Sequence, residues 1–185
     1  EDGGYWWWHT PDDTFDKIDF DVLETDAELY ARAISRLVAD PDLPVNMVAE
    51  VEALGGAIAS RAGTAGDRFD FEEAAARQEI LLDVVRRVQQ ALPGNHGADI
   101  DRGVLRVLRP IYRVAYDPVD PFHPDPGLSR GLLPGLAAVE VLSREDVSSD
   151  LYLFAETTLV RERNRLMEAL SLATEEAERL LATLQ

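Results

Sequence analysis

The chain contains no cysteine, which excludes disulfide staples and thiolate metal ligation. It holds a single lysine, Lys17, so arginine supplies every other cation, and 18 cations face 35 acids for a formal net charge of −17. That background field opposes the phosphate neutralisation on which nucleic-acid binding depends, and nucleic acid is not expected as a partner. An acidic, lysine-poor surface suits a high-salt environment, although a GC-rich genome produces the same arginine bias; the composition is compatible with a high-salt cytoplasm or with a secreted protein. No apolar run approaches the roughly 20 residues of a membrane-spanning helix, so no membrane segment is expected. Also missing are a glycine-rich phosphate loop, a Ser-His-Asp or Cys-His arrangement, and a basic stripe with interleaved aromatics. The chain opens at Glu1 with neither an initiator methionine nor a signal-peptide pattern, and it reads as a fragment beginning in the middle of a fold.

What is present begins with aromatics. Tyr5-Trp6-Trp7-Trp8 reads as a buried strand that breaks at Thr10-Pro11, because the residue before a proline is pushed out of the helical region. His9 stands at that break. A strand end that delivers a histidine into a polar turn suits a metal ligand, since the scaffold holds the ring while the loop leaves it open. Asp13 and Asp16 are placed to hydrogen-bond the ring's other nitrogen or its neighbours. On chemistry alone, a satisfied surface histidine before a helix start is the favoured reading over a ligand.

The whole segment, Tyr-Trp-Trp-Trp-His-Thr-Pro-Asp-Asp-Thr-Phe-Asp-Lys-Ile-Asp over residues 5–19, resembles the last zinc-binding motif of the M28 family of metallopeptidases. Members of that family are aminopeptidases and carboxypeptidases with two zinc ions, in which a strand ends in His-Thr-Pro-x-Asp-Thr and a helix follows. The resemblance implies that His9 is the final zinc ligand and that Asp13 and Thr14 fix the turn behind it. Many members carry tyrosine just before the histidine, as a donor to the tetrahedral intermediate. Trp8 stands there in this chain; its indole can only donate, and both an oxyanion role and a packed aromatic remain open. The other ligands and the glutamate base are implied to lie upstream. The chain by itself is therefore expected to be inactive and to bind no zinc tightly, and the intact protein to perform metal-assisted hydrolysis of a peptide substrate.

Beyond this motif the periodicity is helical. Asp19 can cap a helix to about Val38, with Leu23, Ala27, Tyr30, Ile34 and Leu37 at helical spacing. Asn46 can cap a second to about Arg61, weakened by Gly55-Gly56 and followed by a turn at Gly63-Thr64-Ala65-Gly66. Asp70-Phe71-Glu72-Glu73 resembles a capping box for a third helix that ends at Pro93-Gly94. A fourth starts near Asp101, and Pro110 should kink or split it. After a proline-rich loop from Asp117 to Pro134, a last helix from about Ser149 to Leu184 would span roughly 50 Å. The expected fold is mainly α: a helical bundle following the last strand of a truncated α/β zinc-peptidase domain, with residues 1–18 the end of that domain and 19–185 the bundle.

This order of elements also resembles the transferrin-receptor-like dimerisation domain of glutamate carboxypeptidase relatives, with Tyr116-Asp117-Pro118 and Leu133-Pro134-Gly135-Leu136 in matching positions. It implies a homodimer, to which the fourth helix and the Pro134–Leu142 segment would contribute surplus apolar surface. It further implies a loop that grips the substrate's carboxylate, for which Arg130 is the residue best suited. The alternative is a non-catalytic module of a receptor-like relative. Asp117 to Pro126, with three acids and His123, reads as a stiff extended loop or a second metal site. His96 sits in an exposed turn. Arg161, Glu162, Arg163 and Arg165 read as a solvated ion-pair face, with Asn164 toward the inside.

Overall fold

The computed structural model describes residues 6–39, 43–117 and 131–185. Six α-helices follow one another: α1 (Phe20–Ala39), α2 (Met47–Ala65), α3 (Glu72–Ala91), α4 (Ala98–Ala115), α5 (Val139–Arg144) and α6 (Asp150–Leu184). No strand occurs among the described residues. The aromatic run expected as a strand is a turn from Trp6 to His9, and Trp6 and Trp8 are exposed. A strand exists only as part of a ladder, and residues 6–39 offer no second one.

The chain divides into two units, residues 1–44 and 45–185. That division groups α1 with the aromatic segment, whereas the boundary read from the resemblance, at 18/19, groups it with the later helices. Within the first unit the Asp19 carboxylate caps α1, accepting from the backbone N–H of Asp21 and Val22 at 3.0 and 3.2 Å. No residue of α1 is buried.

The second unit is a bundle built around α6, which packs against α3, α4, α5 and the short 3-10 turn Pro134–Ala138. Ser149 caps α6 by accepting from the Tyr152 N–H at 3.1 Å. Its buried seam includes Leu159, Leu166, Leu170, Ala173 and Ala177 at helical spacing, while Leu151 and Phe154 at its start are exposed. Asn46 caps α2 as expected, accepting from the Ala49 N–H at 3.1 Å, and the Asp70 carboxylate accepts from Glu72 N–H at the start of α3 at 2.7 Å.

Four sequence expectations are corrected. The helix α2 continues through Gly63 and Thr64 to Ala65, and the chain turns only at Gly66, whose φ of 55° suits glycine. Pro110 does not split α4, which runs unbroken from Ala98 to Ala115. The N–H that proline lacks would have donated to the carbonyl of Arg106, on the exposed face where water can replace it. The Pro134–Leu142 segment, expected as surplus surface, buries Pro134, Leu136, Val139 and Leu142. Arg68 anchors it by donating to the carbonyls of Leu142 and Glu145, both at 2.8 Å. Finally, Gly55 is a close approach rather than a weak point. A Cβ there would lie 2.7 Å from Nε2 of the buried Gln78, which donates to the Val51 carbonyl at 2.9 Å.

Gly55→Ala is therefore expected to destabilise the bundle. Alanine gains roughly 1 kcal/mol in helix propensity, but displacing a buried, bonded amide costs about 1–3 kcal/mol and crowding adds a similar amount. A net loss of about 1–5 kcal/mol in urea unfolding is expected, shrinking when Gln78→Ala is added, because the double variant removes the clash. Equal, additive losses would show that the two residues do not oppose one another.

Candidate functional site

The turn from Trp7 to Lys17 is closed by its own short side chains. Thr10 N–H donates to the Trp7 carbonyl at 3.0 Å and its hydroxyl donates to the same oxygen at 2.6 Å. Asp12 N–H donates to the Thr10 hydroxyl at 3.2 Å, and Asp13 N–H to the Thr10 carbonyl at 3.0 Å. Such local bonds are what serine, threonine and aspartate offer a backbone that leaves regular structure.

His9 sits in the left-handed region at φ 60°, uncommon for a residue with a Cβ. Its backbone N–H donates to Asp13 Oδ2 at 3.3 Å, so Asp13 fastens the main chain beneath the histidine rather than the ring. The imidazole is exposed and lies against the Trp8 indole, with ring centroids 4.0 Å apart and planes inclined by 34°. Asp16 is engaged elsewhere, accepting from the Thr14 hydroxyl and from Lys17 Nζ, the latter at 2.7 Å. Asp13 and Asp16 thus bond the main chain of His9 and its neighbours in the turn.

The Lys17 ammonium, and after it the Thr14 hydroxyl, pull the Asp16 carboxyl from an ordinary 3.8 down to about 2. A carboxylate depressed in the folded turn adds stability above its unfolded value, and that contribution disappears as pH falls from about 3.8 toward 2. Proton NMR titration should therefore show Asp16 still ionised near pH 3, and Lys17→Ala should move its midpoint up toward 3.8. An unchanged midpoint would rule out the ammonium as the cause.

An exposed imidazole is a nitrogen donor of the kind zinc accepts. Among the described residues no group of three or more His, Cys, Asp or Glu side chains converges to hold a metal ion. Arg130, His123 and nearly all of the proline-rich loop lie outside the described residues. His96 occupies the exposed turn between α3 and α4. The α6 charges are less solvated than expected: Arg163 stacks over Phe69 at 5.0 Å from the ring centroid and donates to the Asp70 carbonyl at 3.0 Å, joining α6 to the start of α3. Arg165 pairs with Glu162 at 2.8 Å, and Asn164 faces outward rather than inward.

One feature went unread in the sequence. Arg102, Arg106, Arg109 and Arg113 recur at i, i+4, i+7 and i+11 and are all exposed on α4, so the chain does carry a basic stripe. Leu105, Tyr112 and Tyr116 run beside it, with the Tyr112 and Tyr116 rings 5.6 Å apart. The period was legible; the net charge drew the reading away from it. No helix among the described residues is long and apolar enough to cross a membrane. No family model, curated protein or solved structure matches the chain.

Proposed function

We propose that this chain is the C-terminal part of a two-zinc exopeptidase of the M28 type. In this reading His9 is the last zinc ligand, and the helices after residue 18 wall the substrate cleft and pair two copies into a homodimer. The observation that carries the reading is the His9 turn. An exposed imidazole stands on a backbone fastened by Asp13 and closed by Thr10, within a segment whose wording matches the family motif residue by residue from His9 to Thr14, save the variable position. Zinc, when bound, supplies Lewis-acid polarisation of the scissile carbonyl. From this chain His9 offers the ring nitrogen, Asp13 holds the main chain that carries it, and Thr14 passes the turn on to the Asp16–Lys17 pair. Trp8 lies against the imidazole, and its exposed indole keeps both roles, oxyanion donor and packed aromatic, open to it. The remaining ligands and the general base belong to upstream residues.

For the dimer, Leu151 and Phe154 are exposed one turn apart at the start of α6, with Val147 exposed just before it. A stable two-fold interface would bury on the order of 1,600 Å². At −17 per chain two copies repel, so association should strengthen as salt screens the charge.

The test is activity of the chain joined to its upstream residues. Aminoacyl-nitroanilides and blocked peptides with a free C-terminus should distinguish the two polarities of exopeptidase, and a chelator should abolish hydrolysis. Intact zinc-free protein with neither activity, even after zinc is added back, would favour a non-catalytic, receptor-like module.

A further inference from the structure

The arginine stripe of α4 stands out against the rest of the chain. On the other helices five arginines are matched by acids a turn away: Arg32 with Glu28, Arg77 with Glu73, Arg144 with Glu140, Arg165 with Glu162 and Arg179 with Glu175. This is the usual way an amphipathic helix carries charge. Between Asp101 and Asp117 there is no acid at all, in a chain with 35 of them, and four arginines fall on one line. Arg102 pairs with Asp99, while Arg106, Arg109 and Arg113 make no ion pair with a described residue. Like charges at i, i+3 and i+4 repel and destabilise a helix.

Beside the stripe lies a groove of about 370 Å³, lined by Leu105, Leu108, Arg109, Tyr112, Arg113 and Asp117. The Tyr116 hydroxyl donates to Glu50 at 3.2 Å, which fixes that ring while leaving it exposed. Guanidinium groups and apolar or aromatic surface therefore run side by side along one helix. From Arg102 to Arg113 the stripe extends about 17 Å at 1.5 Å per residue.

We propose that this α4 face is a docking surface for an acidic amphipathic peptide segment of a partner protein. A helix with carboxylates at i, i+4, i+7 and i+11 would meet the four guanidiniums at matching rise, each able to take a carboxylate in a two-point bond. Its apolar residues would then cover Leu105, Tyr112 and Tyr116. Charge complementarity selects a segment of this size. A long polyanion such as nucleic acid would run off the stripe into a molecule of net charge −17, whereas a short acidic segment ends with it.

The experiment is fluorescence anisotropy with the full 185-residue chain. The probe is a fluorescein-labelled peptide with four glutamates at that spacing on a leucine–alanine background, compared with the same peptide carrying glutamines. The glutamate peptide should bind at least tenfold more tightly, and its affinity should fall as salt rises. Arg106→Glu/Arg109→Glu should weaken it tenfold or more, while the charge-matched Arg87→Glu/Arg161→Glu, also exposed, should change it less than threefold. Circular dichroism identifies any variant that fails to fold, and Arg106→Gln/Arg109→Gln, which adds no charge, should still weaken binding severalfold. No preference for glutamate over glutamine, or equal losses in the two reversed pairs, would overturn the proposal. So would a labelled oligothymidylate that binds as tightly as the glutamate peptide.

Discussion

Leu170→Ala is expected to lower the stability of the bundle by about 3–5 kcal/mol. Leu170 is fully buried on α6, the helix against which α3 and α4 both pack. Removing three carbons there loses the transfer free energy of the side chain and leaves a cavity that helices pinned on several sides cannot close. Domains of this size are stable by only about 5–15 kcal/mol, so the loss is a large share of the total. Urea unfolding followed by far-ultraviolet circular dichroism should show a lower midpoint with an unchanged slope. A loss under 1 kcal/mol would mean that the α6 seam is not the centre of the core. Leu172→Ala, half-exposed on the same helix, should cost far less and serves as the control.

The largest functional effect is expected at His9 in the intact enzyme proposed above. His9→Ala should reduce zinc content and cut kcat/KM by two orders of magnitude or more, since a metal ligand is lost from an exposed turn whose removal disturbs no core. The left-handed backbone at His9, φ 60°, makes alanine an imperfect probe, because a Cβ without a compensating polar group is strained there. His9→Asn separates the two roles. Asparagine tolerates that conformation, so a purely structural histidine would be replaced by it without loss, whereas a ligand would not. Full zinc occupancy and turnover in His9→Asn would remove His9 from the metal site.

Helix positions and caps were legible because they depend on near neighbours. Asp19 and Asn46, read as caps, accept from backbone N–H groups two or three residues on. The loop-like segment around α5 was not legible as core. Its short 3-10 turn and six-residue helix have too few residues for a period, and they are held by Arg68 from more than seventy positions away. Gly55 was misread for the same reason, since the partner that requires glycine there, Gln78, sits on the next helix.

In the candidate site the sequence alone supplied the residue types and the motif. The aromatic run illustrates what it could not decide: a continuous apolar run suggests a buried strand, but a strand requires a partner to pair with, and Trp6 to His9 form a turn in which Trp6 and Trp8 are exposed. Likewise the spacing placed Asp13 near His9 without saying whether it reaches the ring or the main chain, which depends on the left-handed turn at His9 itself. Local sequence determined the helices, their caps and the identity of the histidine, because those are set within a turn or two of the chain. Which surfaces become core, which glycine is indispensable and which arginines remain without an acid were decided by tertiary structure, because each depends on what distant residues bring to the same place.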